Sequence, residues 1–427
     1  MMLSHFLTLA YPSFKVKNLR GYLSTSIIIE GFLIALALSI FIYLSHFELF
    51  SEIVLKIINS INVIVGFYML LKADKRVLFW SGFFIGILWF YWIGFSFRFY
   101  NATFVIPIMM LFVALCFGII FWIIGIFQSP FMRILLFLGL SFVHPLNFNW
   151  LILELTLIDS FFGISKWQFG LFLLSIAFFI TLKSWWKMIS LLVIIASINF
   201  TPNNALPLSN QKIYLSNTSL SQDIKWKEHY AGESIQNNLN IIYKAIKQEY
   251  DIVVLSESAF ALFLNQEPIL MERLKELSKD ITIVTGALYS DGYDSYNSTY
   301  YFVDTKVKIA NKVILVPFGE QIPLPNFLKK ILNDIFYNGA EDYKTADNPT
   351  DIDIKGEIFR NAICYEATRE ELYVGNPKLI IATSNNAWFT PSIEPTLQKF
   401  LLRYFSIKYQ TVIYHSANKG GTAVINQ

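Results

Sequence analysis

Cysteine, histidine and charge are all scarce in this sequence. Only two cysteines occur in 427 residues, and one of them, Cys116, lies inside an apolar run. Thiol chemistry outside that run therefore falls to Cys364 alone. The five histidines are scattered without the spacing of a ligand set, so no metal site is expected and no cofactor is called for. Charged residues make up 15% of the chain, against 55% hydrophobic and 17% aromatic. That exceeds the apolar share of an ordinary soluble domain. The net charge of +3 comes with no basic stripe, so no nucleic acid partner is indicated. There is no internal repeat and no low-complexity tract. Residues 1–21 carry Lys15, Lys17 and Arg20 but lack a secretory cleavage pattern.

The charges that are present are unevenly placed. Residues 1–200 hold 12 Lys/Arg and 6 Asp/Glu, against 22 and 25 in residues 201–427. The chain divides accordingly into a membrane region, 1–200, and a globular domain, 201–427. Apolar runs predict spans at Ser24–Leu44, Ile53–Leu71, Val77–Phe97, Phe104–Phe127, Ile134–Val143, Phe169–Leu182 and Trp185–Phe200. The fold class is thus an α-helical transmembrane bundle of about seven spans followed by an α/β domain. Trp150–Ile164 is interrupted by Glu154 and Asp159 and reads as an interfacial or re-entrant piece. Glu30, Glu154, Asp159 and His144 fall within or beside the runs, where ionisable groups are costly. Glu30 and Asp159 are expected at the interface or paired.

Seven spans with the N-terminus inside leave segments 1–23, 72–76, 128–133 and 183–187 on the cytoplasmic side. These hold nine basic residues, against Lys56, Arg98 and Lys166 on the other. The bias supports that orientation. An odd span count then places residues 201–427 outside the cytoplasm, on the periplasmic side of a bacterial inner membrane.

Beyond a Pro-containing linker at Thr201–Ser209, strand and helix patterns alternate, which argues a layered α/β domain. Strands are expected at Lys212–Ser216, Ile252–Leu255, Ile281–Thr285, Thr299–Val303, Lys306–Ile309, Leu379–Ala382, Thr411–Tyr414 and Thr422–Ile425. Helices are expected at Ser234–Tyr250, Ile269–Leu277 and Pro395–Tyr409.

Four residues carry chemical promise. Cys364 follows the strand-like Gly356–Ile363 and precedes a helical turn at Ala367–Leu372. A cysteine at such an elbow faces a cleft, and helix-end amides favour its thiolate. Glu257 stands just past the buried run ending at Leu255, where a sheet rim gathers functional groups. Lys312 precedes an apolar run that ends at Glu320. A glutamate beside a thiol serves as general base, and a lysine neutralises a developing oxyanion. Each charge alone is more often a solvated surface group. In the order Glu, Lys, Cys, each at the border of an apolar run, they are far more specific.

Glu257, Lys312 and Cys364 resemble the Glu-Lys-Cys triad of the nitrilase (carbon–nitrogen hydrolase) superfamily. The surrounding wording is similar to one branch of it, the apolipoprotein N-acyltransferases. It includes Lys225-Trp226, Tyr296-Asn297, Leu315–Glu320, Ile363–Glu366 and Ser384-Asn385-Asn386-Ala387-Trp388-Phe389. The resemblance is close from Lys212 to Asn426 and rests on layout before that.

It implies an α-β-β-α sandwich and a two-step reaction. Cys364 would take an acyl chain from a phospholipid as a thioester. The α-amine of an S-diacylglyceryl cysteine at an apolipoprotein N-terminus would then receive it. Glu257 would be the base and Lys312 the oxyanion stabiliser. Glu320, Tyr365 and Glu366 would support the site, and Trp226, Asn297 and Trp388 would meet substrate. The apolar stretches Phe260–Leu264 and Phe327-Leu328 would line a dry entrance or form core.

The sequence departs from the family at Asn386, where aspartate is usual, at His415, where arginine is usual, and at Phe405 and Lys408. The family usually continues through further strand and a final transmembrane helix, whereas this sequence ends at Gln427. Two other readings stay open. One is a membrane-tethered amidase using water as acceptor. The other is a receptor or transporter with a periplasmic binding domain, which an intact triad disfavours.

Overall fold

The computed structural model describes residues 21–200, 205–317, 319–320 and 343–426. Lys15, Lys17, Arg20, Phe318, Phe327-Leu328 and the start of the expected linker lie outside them.

Four apolar runs form helices long and apolar enough to cross a membrane. They are α1 (Thr25–His46), α2 (Glu52–Lys72), α3 (Lys75–Phe90), continued by a 3-10 helix to Tyr100, and α4 (Val105–Ile126). At about 1.5 Å per residue, a 22-residue helix is about 33 Å long, close to the hydrocarbon thickness. On α1, Ile34, Ala35 and Leu38 are buried while Ile29, Phe32 and Leu33 are exposed. Such a helix, apolar all round, suits a lipid surrounding rather than water. Helices α3 and α4 touch at Gly82, where a Cβ would stand 2.4 Å from the Phe117 carbonyl oxygen. Only glycine permits that approach.

The seven runs expected from hydropathy resolve into these four and three shorter apolar helices, α5 (Pro130–Gly139), α6 (Lys166–Thr181) and α7 (Met188–Ser197). Trp150–Ile164 forms no α-helix. Trp150–Leu157 is buried around a 3-10 turn, and Glu154 is ion-paired with Lys166. Asp159 binds Arg403 at 2.8 Å, whereas Glu30 is exposed.

Among the described residues, the second half is a sandwich of two six-stranded sheets. Its strands are β1 (Ile213–Leu215), β2 (Asn217–Thr218), β3 (Ile252–Val254), β4 (Phe260–Phe263), β5 (Thr282–Ser290), β6 (Ser295–Val303), β7 (Lys306–Asn311), β8 (Asp351–Ile354), β9 (Glu357–Ile363), β10 (Leu379–Asn385), β11 (Val412–Asn418) and β12 (Ala423–Ile425). Its helices are α8 (Gln222–Lys225), α9 (Glu228–Lys247), α10 (Pro268–Leu277) and α11 (Glu394–Tyr409). One sheet runs β1-β3-β5-β6-β7 with β4 on β5, and the other β12-β11-β10-β9-β8 with β2 on β11.

Alternation along the strands builds the layers. Ile252 and Val254 of β3 meet Phe359 and Ile381 between the sheets. Val253 and Leu255 turn the other way, onto Ile242 of α9 and Leu274 of α10. Across the second sheet, Ile380 and Ala382 join Leu397 and Leu401 of α11 in a core continuous with the apolar helices. The expected α-β-β-α layering is therefore present, and α11 is clamped between the sheet and the helical half. Phe400 of α11 sits 5.5 Å from Phe41 of α1, ring centre to ring centre.

Several local expectations change. Phe260–Leu264, expected either at an entrance or in the core, is strand β4 with its end, and Phe260 and Leu264 take the core place. Strand β8 was not expected; its Asp-Ile-Asp-Ile alternation is short and half polar. The described part of the linker is tied down, with Leu206 and Asn426 exchanging hydrogen bonds of 2.7 and 3.0 Å.

Candidate active site

Three chain reversals bring the triad together. Buried strand β3 ends at Val254, and Glu257 follows at the rim, with Ser258 at φ 48°. The backbone there presses on β5: a Cβ on Gly286 would lie 2.4 Å from the Ser258 nitrogen and 2.7 Å from the Glu257 Cα. Lys312 comes directly after β7, so it closes a strand, and the described residues of the apolar run after it form no named strand. Cys364 follows β9 and opens a 3-10 helix, with φ 53°. A left-handed conformation at a residue other than glycine is strained, and such residues cluster at functional sites.

Lys312 is fully buried, and its Nζ lies 2.8 and 2.7 Å from the two Glu320 oxygens and 3.7 Å from Glu257 Oε1. Burial favours the neutral amine and is the largest single influence. Glu320 and Glu257 outweigh it together, holding the ammonium charged above the ordinary lysine range. Asn297, on β6, donates 2.8 Å hydrogen bonds to Glu257 Oε1 and Glu320 Oε1. Glu320 also accepts from the Val316 N–H at 2.9 Å.

The thiolate expected at Cys364 is not favoured. Burial pushes the thiol well above the usual cysteine range, and Glu257 adds to this more than Lys312 offsets it. The short 3-10 turn brings too little dipole to compensate. Cys364 therefore rests as a thiol and needs a base at the moment of attack.

Glu366 does not face the cleft. It is fully buried and accepts from the N–H groups of Ile363, Val313 and Ile314 at 2.7, 2.8 and 3.2 Å. It locks the cysteine elbow to the segment after Lys312. Burial raises its carboxyl to about 7, with Lys312 and the three N–H groups opposing. Tyr365 points toward the helical half, donating to Asn149 Oδ1 at 2.9 Å or Asn147 O at 3.0 Å, and lies parallel to Phe148. The elbow is thus seated on the 147–150 segment.

A cleft of about 280 Å³ opens onto two of the triad, Glu257 and Cys364, and is lined also by Tyr100, Trp226, Asn297 and Trp388 among others. Trp226, 43% exposed, stands at its rim. Trp388 packs on Phe99 and Tyr100 at 5.4 and 6.0 Å between ring centres. The helical half therefore supplies one wall.

Sequence reasoning assigned no role to several residues. Lys225, quoted only as part of a motif, is buried and donates to the Glu257 carbonyl at 2.9 Å; burial lowers it to about 8. Gln398 of α11 places its Nε2 4.0 Å from Cys364 Sγ and 3.4 Å from Ser384 Oγ. His415 closes that chain, with Nε2 2.8 Å from Ser384 Oγ and Nδ1 2.8 Å from Gly421 O. Burial lowers His415 to about 4, so the ring is neutral. The carbonyl only accepts, so Nδ1 carries the proton and Nε2 accepts from Ser384. Two of the departures from the family pattern, Asn386 and His415, also meet. Asn386 donates to Gly420 O at 2.9 Å, and a Cβ on Gly421 would face both Asn386 and His415. Two neutral groups stand together where the family usually has two charged ones.

A family model described as the apolipoprotein N-acyltransferase integral membrane domain matches residues 25–200. That stretch holds the four helices long and apolar enough to span, so the protein is a multi-pass membrane protein. Curated relatives match over both halves. The apolipoprotein N-acyltransferase of Wolinella succinogenes is 39% identical over 396 residues, covering 92% of this chain and 94% of that one. The Helicobacter pylori protein of the same name is 38% identical over 356 residues, covering 82% and 83%. That of Campylobacter jejuni is 36% identical over 427 residues, covering 98% and 93%. With such identity along nearly the whole chain, this protein belongs to the apolipoprotein N-acyltransferase family.

Proposed function

We propose that this acyltransferase moves one acyl chain from a phospholipid to the α-amine of an S-diacylglyceryl cysteine at an apolipoprotein N-terminus, by way of a thioester on Cys364. The observation that carries the reading is the cleft onto Glu257 and Cys364, with Lys312 buried 3.7 Å from Glu257, walled on one side by Tyr100 and Trp388 against the helical half. A site so placed receives ester carbonyls whose acyl chains stay in hydrocarbon.

Glu257 takes the thiol proton as Sγ attacks the ester carbonyl, and Lys312 faces the oxyanion. The same proton then goes to the leaving lysophospholipid oxygen. Glu320 and Asn297 hold Lys312 and Glu257 in register, and Trp226 and Trp388 border the path of substrate. In the second step the amine attacks the thioester and regenerates the thiol. Exclusion of water from the half-buried sulfur protects the intermediate from hydrolysis. The test is mass spectrometry of a lipoprotein N-terminus from cells with and without this protein. An N-acyl group that persists in its absence would overturn the reading, as would release of free fatty acid by the purified enzyme as its main product.

We divide the chain at 200/201 and place residues 201–427 on the periplasmic side of the bacterial inner membrane, on the nine-to-three basic asymmetry. A reporter active only in the cytoplasm, fused after Gln427, should stay silent; strong activity there rejects the orientation.

Glu320→Gln should slow acyl-enzyme formation on the order of 10- to 100-fold, the worth of a hydrogen bond to a charged group, while circular dichroism shows the domain still folded. An unchanged rate would return Glu320 to the status of a bystander.

A further inference from the structure

Behind the catalytic sulfur lies a second, much smaller space of about 30 Å³, bordered by Cys364, Glu394, Gln398, Trp92, Phe148 and Trp150 among others. That volume accommodates one group the size of a water or an ammonium. Glu394 and Gln398 are four residues apart, one turn on the same face of α11. Each is 1% exposed. Gln398 is engaged with Ser384 and Asn386. Glu394 Oε2 has no hydrogen-bond partner among the described residues. An unsatisfied buried carboxyl oxygen is costly and calls for a ligand.

We infer that Glu394 is the docking group for the acceptor's α-ammonium, seated beside Cys364 between the carboxyl and the aromatic side chains of Trp92, Phe148 and Trp150. A carboxylate gives a primary ammonium a charge-assisted hydrogen bond, and aromatic faces attract the same cation. The position suits the chemistry, since the attacking nitrogen must approach the thioester carbon to about 3 Å. The inference rests on the proposed acyl transfer.

Before the acceptor arrives, burial and the nearby Glu257 keep Glu394 protonated. Docking of the ammonium releases that proton to solvent and leaves a carboxylate–ammonium pair. The ammonium then returns one proton to Glu394, and the neutral amine attacks the thioester carbon. As the C–N bond forms, the nitrogen gives a second proton to Glu257. The C–S bond breaks, and the sulfur takes that proton from Glu257. Thioester and ammonium become amide, thiol and one proton.

The two half-reactions separate this role from a structural one. The full chain is loaded with either phosphatidylethanolamine or phosphatidylglycerol, and the acyl-enzyme is read by intact mass. A synthetic lipopeptide with a free N-terminal S-diacylglyceryl cysteine is then added, and N-acylated peptide is measured. Glu394→Gln should slow the transfer half on the order of 10- to 100-fold more than the loading half, with a raised KM for the lipopeptide. Glu394→Asp should recover part of the loss. Equal slowing of both halves, or no slowing, overturns the inference. So does a defect confined to loading from the ethanolamine lipid, which would make the donor's headgroup the bound ammonium. Failure of the unaltered chain to form an acyl-enzyme would instead overturn the proposed function.

Discussion

Cys364→Ala protein incubated with phospholipid should show no gain in intact mass, while the unaltered chain gains one acyl chain that mild base releases. Cys116 lies in α4 and does not border the cleft, so no second thiol can substitute. Loss of the nucleophile from a comparable catalytic unit costs on the order of 10⁶-fold. Cys364→Ser should be nearly as inactive. Burial already raises the thiol above its ordinary range, and a hydroxyl is harder still to deprotonate with one carboxylate. Glu257→Gln should fail by another route. It keeps the shape and the hydrogen bond from Asn297, yet it cannot take the proton. Joining it to Cys364→Ala should add little, because members of one unit act non-additively. A Cys364→Ala protein that still gains acyl mass and still modifies lipopeptide would overturn the assignment.

The second large effect is expected at Lys312. Lys312→Ala should lower the loading rate on the order of 100- to 1,000-fold, the cost of removing one oxyanion donor elsewhere. It should also lower stability. Lys312 neutralises Glu320 at 2.7 Å and stands 3.7 Å from Glu257. Removing one partner from a buried ion group costs on the order of 3–5 kcal/mol. The two effects are separated by measuring loading below the melting transition, which should itself move to lower temperature. Lys312→Arg tests the geometry: charge is kept, but the larger planar group does not fit a fully buried site built for a point charge. A Lys312→Ala protein that loads at the normal rate would remove the lysine from the mechanism.

The sequence alone carried the main architecture, because the signals concerned are local. A lipid-spanning helix announces itself by an unbroken apolar run, and α1 to α4 fall within a few residues of the expected spans. Buried strands such as Ile252–Val254 and Leu379–Asn385 are apolar on both faces because the sandwich covers both. Glu257 and Cys364 were legible because each follows a buried strand, Lys312 because it borders an apolar run, and all three because their order matches a known pattern. Glu257 and Cys364 border one cleft, and Lys312 is buried 3.7 Å from Glu257.

What the tertiary structure decided depends on residues far apart in the chain. The protonation of Cys364 follows from burial and from Glu257, which the elbow sequence does not encode. Glu366 looked like a neighbour of the nucleophile, but its three N–H donors turn it away from the cleft into a structural lock. Tyr365 is committed to the helical half through Asn147 and Asn149, more than 200 positions earlier. Glu394 passes for an ordinary first-turn acid in the sequence. Only when α11 is pressed between the second sheet and the apolar helices does its carboxyl lose water and come to border the chamber behind Cys364. Local pattern names the elements and the reactive side chains. Desolvation and charge pairing belong to the packed arrangement, because both depend on what the distant chain brings within a few ångströms.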